Sequence, residues 1–386
     1  MLRSNQLLEE ARAYLPDSEV DRVHRAYLLA ANAHEGQSRS SGEPYVTHPI
    51  AVARILTGFY MDGHCLAAAV LHDTVEDTSV TVDQVREQFG EDVAALVEGV
   101  TKLGKVHFET REEAQAENFR KMLLAMSRDL RVIIIKLADR LHNMQTLGSL
   151  PASKRKRVAR ETLEIFAPIA HRLGLNPFKN RLEDLAFKYL HPTRYRVLSE
   201  AIQEERGNRR HVTERVQAGV EQNLAEAGIE AEVAGREKHL YSIYRKMQTK
   251  GLSFQEVHDI YAFRILVTDV ATCYRVLGQV HNLFRPIPGR FKDYVAIPKS
   301  NGYQSLHTVV VNPYGGVMEF QIRTHQMQEI AEAGVAAHWR YKETGTEAPD
   351  HRRLEKSYAW LQQLLQIQQE AGDSAEFLEH VKVDLF

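Results

Sequence analysis

A helical first part followed by a mixed α/β second part is the fold this 386-residue sequence predicts, and three observations predict it. The length exceeds what one hydrophobic core usually serves, which calls for two domains. From Glu9 to about Leu190, apolar residues recur at intervals of three and four with no β-branched alternation, the period of helices packed on one face. After Gly235 several short runs alternate with a period of two, as half-buried strands do.

The elements follow in order. Met1 to Leu15 carries charges throughout and reads as a short amphipathic helix, not a signal peptide. Helices then break at Gly42-Glu43-Pro44, Gly90, Gly104-Lys105, Gly148 to Pro151, and Pro177. Leu66 to Leu71 is an Ala/Leu helix that continues into His72, and Val132 to Ala138 is a second buried segment ending at Asp139. Ala167 to Leu173, Leu182 to Tyr189 and Tyr195 to Ala201 form a helical connector, and a long polar helix leads out of it from Ala201 to Ala227. Strands are predicted over Ile260 to Val267, Leu306 to Val311 and Val317 to Ile322. In the last, Met318, Phe320 and Ile322 alternate with Glu319, Gln321 and Arg323, so one face is apolar and the other carries a carboxylate and an arginine. Ala331 to Tyr341 and Leu354 to Ala371 return to helix across a polar loop, Lys342 to Arg353.

Composition narrows the class. With 44% hydrophobic and 26% charged residues, and no apolar run of membrane-spanning length, the chain reads as a soluble globular protein that does not engage a membrane. Cys65 and Cys273 lack metal-like spacing, which argues for a reducing compartment, with the cytoplasm the expected location. The net charge of −2 hides a split. Residues 61–118 hold 13 Asp/Glu against 4 Lys/Arg, and residues 235–310 hold 11 Lys/Arg against 5 Asp/Glu. An acidic region suits cations, and a basic one suits polyanions such as nucleotide phosphates.

Two constellations carry chemistry. The first is His48, His72-Asp73 followed by Glu76-Asp77, and Asp139, all in helical segments. Two imidazoles and two carboxylates suffice for one divalent metal, with Mn, Fe, Zn and Mg better suited than a thiolate-seeking ion. The four-residue spacing of His72 to Glu76 and of Asp73 to Asp77 predicts stacking on one helical face, the carboxylate pair placed to handle a water. An isolated His-Asp pair is more often structural; the company of the other four makes this a metal-dependent hydrolase signature. Asp139 shares a helical face with Asn143 and Thr146.

The second runs from Gly235 to Lys246, then through Asp259, Arg264, Gly289 to Tyr294, Lys299, and Asn301 to His307, and ends at Glu319. Phosphoryl or pyrophosphoryl transfer needs cations on the phosphates, carboxylates for Mg²⁺ and a means of deprotonating the attacking hydroxyl, and this stretch supplies all three. Lys238 and Lys246, eight apart, are predicted to point at one polyanion from a helix. Tyr303 is predicted at an exposed turn where its ring could stack on a base. Asp259 and Glu319 are the carboxylate candidates, and strand parity sets Arg264 opposite Asp259.

These motifs resemble the enzymatic half of the RelA/SpoT alarmone synthetase/hydrolase family. The likeness rests on Arg39 to Tyr45 with His48-Pro49, on Leu71 to Thr78, on Lys136 to Met144, on Gly235 to Lys246, Arg290 to Tyr294 and Gly302 to His307, and on Glu319 to Thr324. It covers essentially the whole chain and is closest to the SpoT type. The resemblance implies an all-α HD-type hydrolase domain with its connector over 1–195. It implies an α+β nucleotidyltransferase-like synthetase domain with a mixed sheet over 196–371. At 372–386 it implies a linker toward an absent C-terminal regulatory region, where relatives enter a TGS domain; regulatory partners would act through that region, and direct nucleic-acid binding by this chain is not expected.

For the first domain the resemblance implies removal of pyrophosphate from the 3′ position of guanosine tetra- or pentaphosphate with Mn²⁺ and water. His48, His72, Asp73 and Asp139 would be the metal ligands, and Glu76-Asp77 the pair that activates or orients the water. Arg39, Asn143 and Thr146 would hold the nucleotide, with Ser40, a departure from the basic residue of many bifunctional relatives, as a candidate. His142 is not a ligand in this reading. For the second domain it implies transfer of pyrophosphate from ATP to the 3′-OH of GDP or GTP. Arg236 and Arg264 would flank adenine, Lys238 and Lys246 would meet the ATP phosphates, and Asp259 would hold Mg²⁺. Glu319 would activate the 3′-OH with help on Mg²⁺, Tyr303 would stack on guanine, and Lys292, Lys299, Asn301 and His307 would line the acceptor site. Arg290-Phe291-Lys292-Asp293 is the basic form of a loop found in bifunctional members. Two opposed reactions in one chain would waste ATP, so the connector around Ala167 to Ala201 is expected to let one site close as the other opens. A hydrolase whose second domain only binds nucleotides, and an RNA-binding role for the basic segment, are the competing readings.

Overall fold

The computed structural model describes residues 2–101, 123–125, 127–257, 261–313, 316–337, 339, 359–360 and 362–363. By packing the chain divides into two units, residues 1–173 with 335–386, and residues 174–334. The expected break at Gly104-Lys105, and nearly all of 342–371, lie outside the described residues.

Apart from a bridge between Ser38 and Pro44, the first unit is helical over its described residues. Its helices are α1 (Leu2–Arg12), α2 (Asp17–Ala33), α3 (Thr47–Thr57), α4 (Gly63–Leu71), α5 (Thr74–Asp77), α6 (Val82–Phe89), α7 (Glu91–Thr101), α8 (Leu130–Gln145), α9 (Ala152–Glu161) and α10 (Ala167–Arg172). Helix α4 is apolar on every side, with Cys65 to Leu71 fully buried, and such a helix belongs at the centre of a bundle. It packs against α2, α3 and α7, and α3 and α7 in turn meet α8. Asp62 caps α4 by accepting from Cys65 N at 2.8 Å, Asp129 caps α8 by accepting from Arg131 N at 2.8 Å, and Arg131 Nη1 donates to Asp62 at 2.9 Å. The starts of the two helices are thereby tied together. His72 and Asp139 each lie ten residues beyond those capping aspartates (62 to 72, 129 to 139), about 15 Å along a helix at 1.5 Å per residue.

The second unit holds α11 (Asn176–Leu190), α12 (Pro192–Glu226), α13 (Leu240–Lys250), α14 (Val270–Leu283) and α15 (His325–Ala333) around a five-stranded sheet. Its strands are β1 (Glu232–Glu237), β2 (Tyr261–Val267), β3 (Lys292–Asp293), β4 (Leu306–Val311) and β5 (Val317–Thr324), in the order β1-β2-β5-β4-β3. The β2–β5 pair is parallel and the others antiparallel, a mixed sheet. Phe263, Ile265 and Val267 lie in register with Phe320, Ile322 and Thr324. On that face Phe320 stacks between Phe263 and Phe284 at 5.2 and 5.8 Å, over Val216, Val220 and Leu224 of α12 and Val276 and Val280 of α14. The opposite face gathers Arg236, Arg264, His307, Glu319, Gln321 and Arg323. Helix α11, read from sequence as part of the first domain's connector, packs here, because Phe187 stacks on Tyr244 at 4.4 Å and Asp184 accepts from Tyr241 N at 2.8 Å. The segments read as 195–201 and 201–227 are one continuous helix, α12.

Candidate active sites

In the first unit His48 enters from the first turn of α3, His72 and Asp73 from the turn after α4, and Asp139 from α8. His48 Nε2 lies 3.4 Å from Asp73 Oδ2 and 3.2 Å from Asp139 Oδ1; His72 Nε2 lies 3.0 Å from Asp73 Oδ1 and 4.0 Å from Asp139 Oδ1. Among the described residues, His48, His72 and Asp139 are the group whose ligand atoms all converge closely enough for one ion.

Hydrogen-bond directions show what belongs between these atoms. His72 Nδ1 donates to Ala69 O at 2.7 Å, leaving Nε2 buried with no hydrogen bond. Arg39 Nη1 can only donate, and it meets His142 Nδ1 at 3.1 Å, with His48 Nδ1 2.7 Å from the same nitrogen. His48 Nε2 faces the same two carboxylates. The buried lone pair of His72 and two carboxylates crowded together repel unless a positive charge sits among them, so the donor set fits a divalent metal. The site's proton affinity reports the same demand. Burial works against a charge on His72, but Asp73 and Asp139 outweigh it and push its pKa up to about 9, while burial holds His48 down. Both carboxylates, despite burial, are held well below the ordinary range, Asp73 by His72 and Asp139 by Lys136 and His48.

Around the cluster, Lys136 Nζ and Asn143 Nδ2 donate to Asp139 at 2.7 and 2.6 Å, and Arg39 Nη2 donates to Asn143 at 2.8 Å. Arg39, Ser40, Lys136, Asp139, Asn143 and Thr146 line one cavity of about 250 Å³. Gly42 makes the turn that presents Arg39, at φ +84° and with its N–H on Arg39 O at 2.8 Å. The helix predicted to run unbroken from Leu66 through Asp77 instead ends at Leu71 and restarts at Thr74, so His72 and Glu76 are not one regular turn apart. Asp77 N still bonds Asp73 O at 2.8 Å, and Tyr45 OH reaches Asp73 Oδ2 at 2.9 Å and Asp77 Oδ2 at 2.7 Å. Glu76 is half-buried and Asp77 exposed. Tyr45, Lys136 and His142 had no predicted role; all three stand inside the quoted motifs, but only the fold shows whom they touch.

In the second unit the polar sheet face converges on Glu319. Lys238 Nζ lies 3.0 Å from Oε2, and His307 Nδ1 and Gln321 Nε2 lie 2.9 and 3.1 Å from Oε1. Burial raises the carboxyl's pKa, but His307 and Lys238 win and hold it well below the usual range. Arg236 Nη1 donates to Gln321 Oε1 at 2.8 Å, and Arg264 Nη1 meets Glu332 at 3.4 Å. Lys238 lies between β1 and α13, not on a helix with Lys246; the strand delivers it to Glu319. Lys246 is half-buried on α13, and Lys292 is exposed on β3 beside His307 of β4. Tyr303 is half-buried, unlike the exposed turn predicted. Gly302 at φ +75° and Asn301, which accepts from Tyr303 N at 3.2 Å, turn the chain there. Lys299 Nζ sits 4.7 Å from the Tyr294 ring and 5.1 Å from that of Tyr303. Asp259 lies outside the described residues.

Comparison with known proteins bears on both units. Residues 26–176 match the HD domain family, and residues 235–346 match the region found in RelA/SpoT proteins. The bifunctional (p)ppGpp synthase/hydrolase SpoT of Escherichia coli K12 is 56% identical over 99% of this chain and 54% of its own length. A GTP pyrophosphokinase of Myxococcus xanthus is 47% identical over 97% of this chain and 49% of its own. The solved structure of a metazoan SpoT orthologue described as hydrolysing ppGpp aligns at 27% identity and a TM-score of 0.31, over 43% of this chain and 85% of that one. The chain spans about half the length of the curated relatives it matches.

Proposed function

Because the chain belongs to the RelA/SpoT family, joining an all-α HD domain to a mixed-sheet RelA/SpoT domain, we propose that it hydrolyses guanosine tetra- and pentaphosphate at the 3′ position and also transfers pyrophosphate from ATP to GDP or GTP. The observation that carries the hydrolase reading is the convergence of His48, His72 and Asp139, with Asp73 against both imidazoles, beside the Arg39 cavity. His48, His72, Asp73 and Asp139 would hold the metal, Mn²⁺ by the family likeness, since the mixed nitrogen and oxygen set suits Mn, Fe, Zn and Mg alike. A divalent ion there supplies Lewis acidity toward the water and charge neutralisation at the phosphate.

The chain's own residues do the rest. Arg39 and Asn143, with Ser40 and Thr146, hold the nucleotide in the cavity. Glu76 and Asp77, the latter aimed by Tyr45, orient the water and take its proton as it attacks the phosphorus attached to the 3′ oxygen. That oxygen departs with a proton, giving pyrophosphate and GDP or GTP.

In the second unit Lys238 and Lys246 would draw the ATP phosphates, with Arg236 and Arg264 flanking the adenine. Glu319 would accept the 3′-OH proton as that oxygen attacks the β-phosphorus and AMP leaves. Lys292, Lys299, Asn301, Tyr303 and His307 would form the acceptor side, and Mg²⁺ would be held by Asp259. A hydrolase whose second unit only binds nucleotide is favoured by one observation, the closed Lys238–Glu319 pair. A Glu319→Gln variant that makes as much alarmone as the parent would establish that reading.

The primary test is pyrophosphate release from guanosine tetraphosphate with Mn²⁺, with EDTA, and by Asp73→Ala. Activity that requires both metal and Asp73 is expected. Equal rates in all three would overturn the hydrolase assignment. The cytoplasm is the expected location; among the described residues no helix is long and apolar enough to cross a membrane.

A further inference from the structure

Arg323 has no assigned part in either reaction, yet it is among the most deeply buried cations of the second unit, 2% exposed. Among the described residues no carboxylate pairs with it, and its Nε makes no hydrogen bond. Burial pushes its pKa down to about 10, with Arg264 and Arg236 pushing the same way against Tyr303 and Glu332. A buried guanidinium with no carboxylate in direct contact is costly, and a fold that keeps one is using its donors. Those donors go to two places: Nη2 to Tyr303 OH at 3.0 Å and to Gln321 Oε1 at 2.7 Å.

Both recipients end on the same atom. Tyr303 OH meets His307 Nε2 at 2.8 Å, and His307 Nδ1 meets Glu319 Oε1 at 2.9 Å. Gln321 Nε2 meets Glu319 Oε1 at 3.1 Å. Guanidinium only donates, so the phenol oxygen accepts from Arg323 and turns its own proton toward His307 Nε2. The imidazole nitrogen facing the carboxylate carries the other hydrogen. Likewise, Arg323 and Arg236 both hold Gln321 Oε1, which turns its NH₂ toward Glu319.

We propose that Arg323 is the positioning residue of the second site: through Tyr303–His307 and through Gln321 it fixes the two neutral donors that occupy Glu319 Oε1, so that Oε2 is the oxygen that receives the 3′-OH proton. Oε2 carries the Lys238 contact, and it opens when Lys238 moves onto the incoming phosphates. This inference rests on the reading of the second unit as a pyrophosphate-transfer site. It gives Tyr303 an orienting duty through its hydroxyl, separate from any stacking by its ring.

The test reads the tautomer directly, in the whole chain labelled with ¹⁵N-histidine, with His307 assigned by its loss in His307→Gln. The neutral Nδ1–H form is expected in the parent and in Arg323→Lys. A shift toward the doubly protonated form, Nδ1–H staying on Glu319 while Nε2 gains a proton, is expected in Arg323→Gln and in Tyr303→Phe, which cuts one arm alone and serves if the arginine variant fails to fold. Alongside, Arg323→Gln is expected to lower kcat for pyrophosphate transfer roughly 10–100-fold, as loss of an orienting partner does, with KM for ATP within roughly threefold of the parent and partial recovery in Arg323→Lys. An Nε2–H or doubly protonated His307 in the parent would overturn the proposal, as would a His307 protonation state indifferent to both substitutions. If the tautomers behave as expected but the parent transfers no pyrophosphate, the orientation stands and the transferase reading falls.

Discussion

At the residue scale, each site sets an arginine, which can only donate, against a histidine network. Arg39 donates to His142 Nδ1, which His48 Nδ1 also meets, and Arg323 donates to Tyr303, whose hydroxyl meets His307 Nε2. Neither role can be read from a linear motif, since each depends on contacts between residues far apart in the chain. Of the four candidate metal ligands, His48, His72 and Asp139 converge on one point in the fold, and they were legible as candidates because the residue types themselves announce the chemistry. Tyr45 illustrates what was hidden: its phenol joins Asp73 to Asp77, and only the folded turn shows this. Tyr45→Phe is therefore expected to slow hydrolysis by roughly 10–100-fold with melting temperature little changed, measured by initial rates and calorimetry. An unchanged rate would remove Tyr45 from the orienting set.

At the element scale, Glu183 of α11 accepts from His239 Nε2 at 3.0 Å at the entry to α13. Burial raises its pKa, but His239 and Lys179 outweigh this and leave it lowered. The sign follows: a folded-state value below the unfolded one contributes stability above the unfolded value of 4.5, and that stability is lost as pH falls through the folded value. Melting curves from pH 7 downward should show Glu183→Gln less stable than the parent at neutral pH, the gap narrowing below about pH 4. A gap independent of pH would show that the charge plays no part.

Element prediction succeeded where periodicity was strong. Strand β4 matches its predicted span, and β5 runs two residues past it, because alternation with Phe320 and Ile322 on one face leaves little ambiguity. It failed for β1, whose Val233 is its one well-buried apolar side chain and whose Gly235 reads as a breaker, and for the two-residue β3. Missing β1 also misplaced Lys238 onto a helix. The break between α4 and α5 was equally invisible, since nothing in Leu71 to Thr78 forbids a continuing helix.

At the scale of the whole molecule, the acidic segment 61–118 belongs to the first unit and the basic segment 235–310 to the second. Saturating the second unit with a nonhydrolysable ATP analogue and GDP is expected to slow alarmone hydrolysis by the first. An unchanged rate would mean that the two reactions are not directly coupled within this chain. The strand order has a separate consequence, for how the protein comes into being. Strand β5 emerges last from the ribosome yet lies at the middle of the sheet, between β2 and β4. Until it docks, β2 and β4 have no strand to pair with between them, and Arg236 of β1 has no Gln321 to meet. Pairing over so long a stretch of chain is slow to form, so a nascent second unit waits for Val317–Thr324 with an open cleft between its strands, a natural resting place for chaperones.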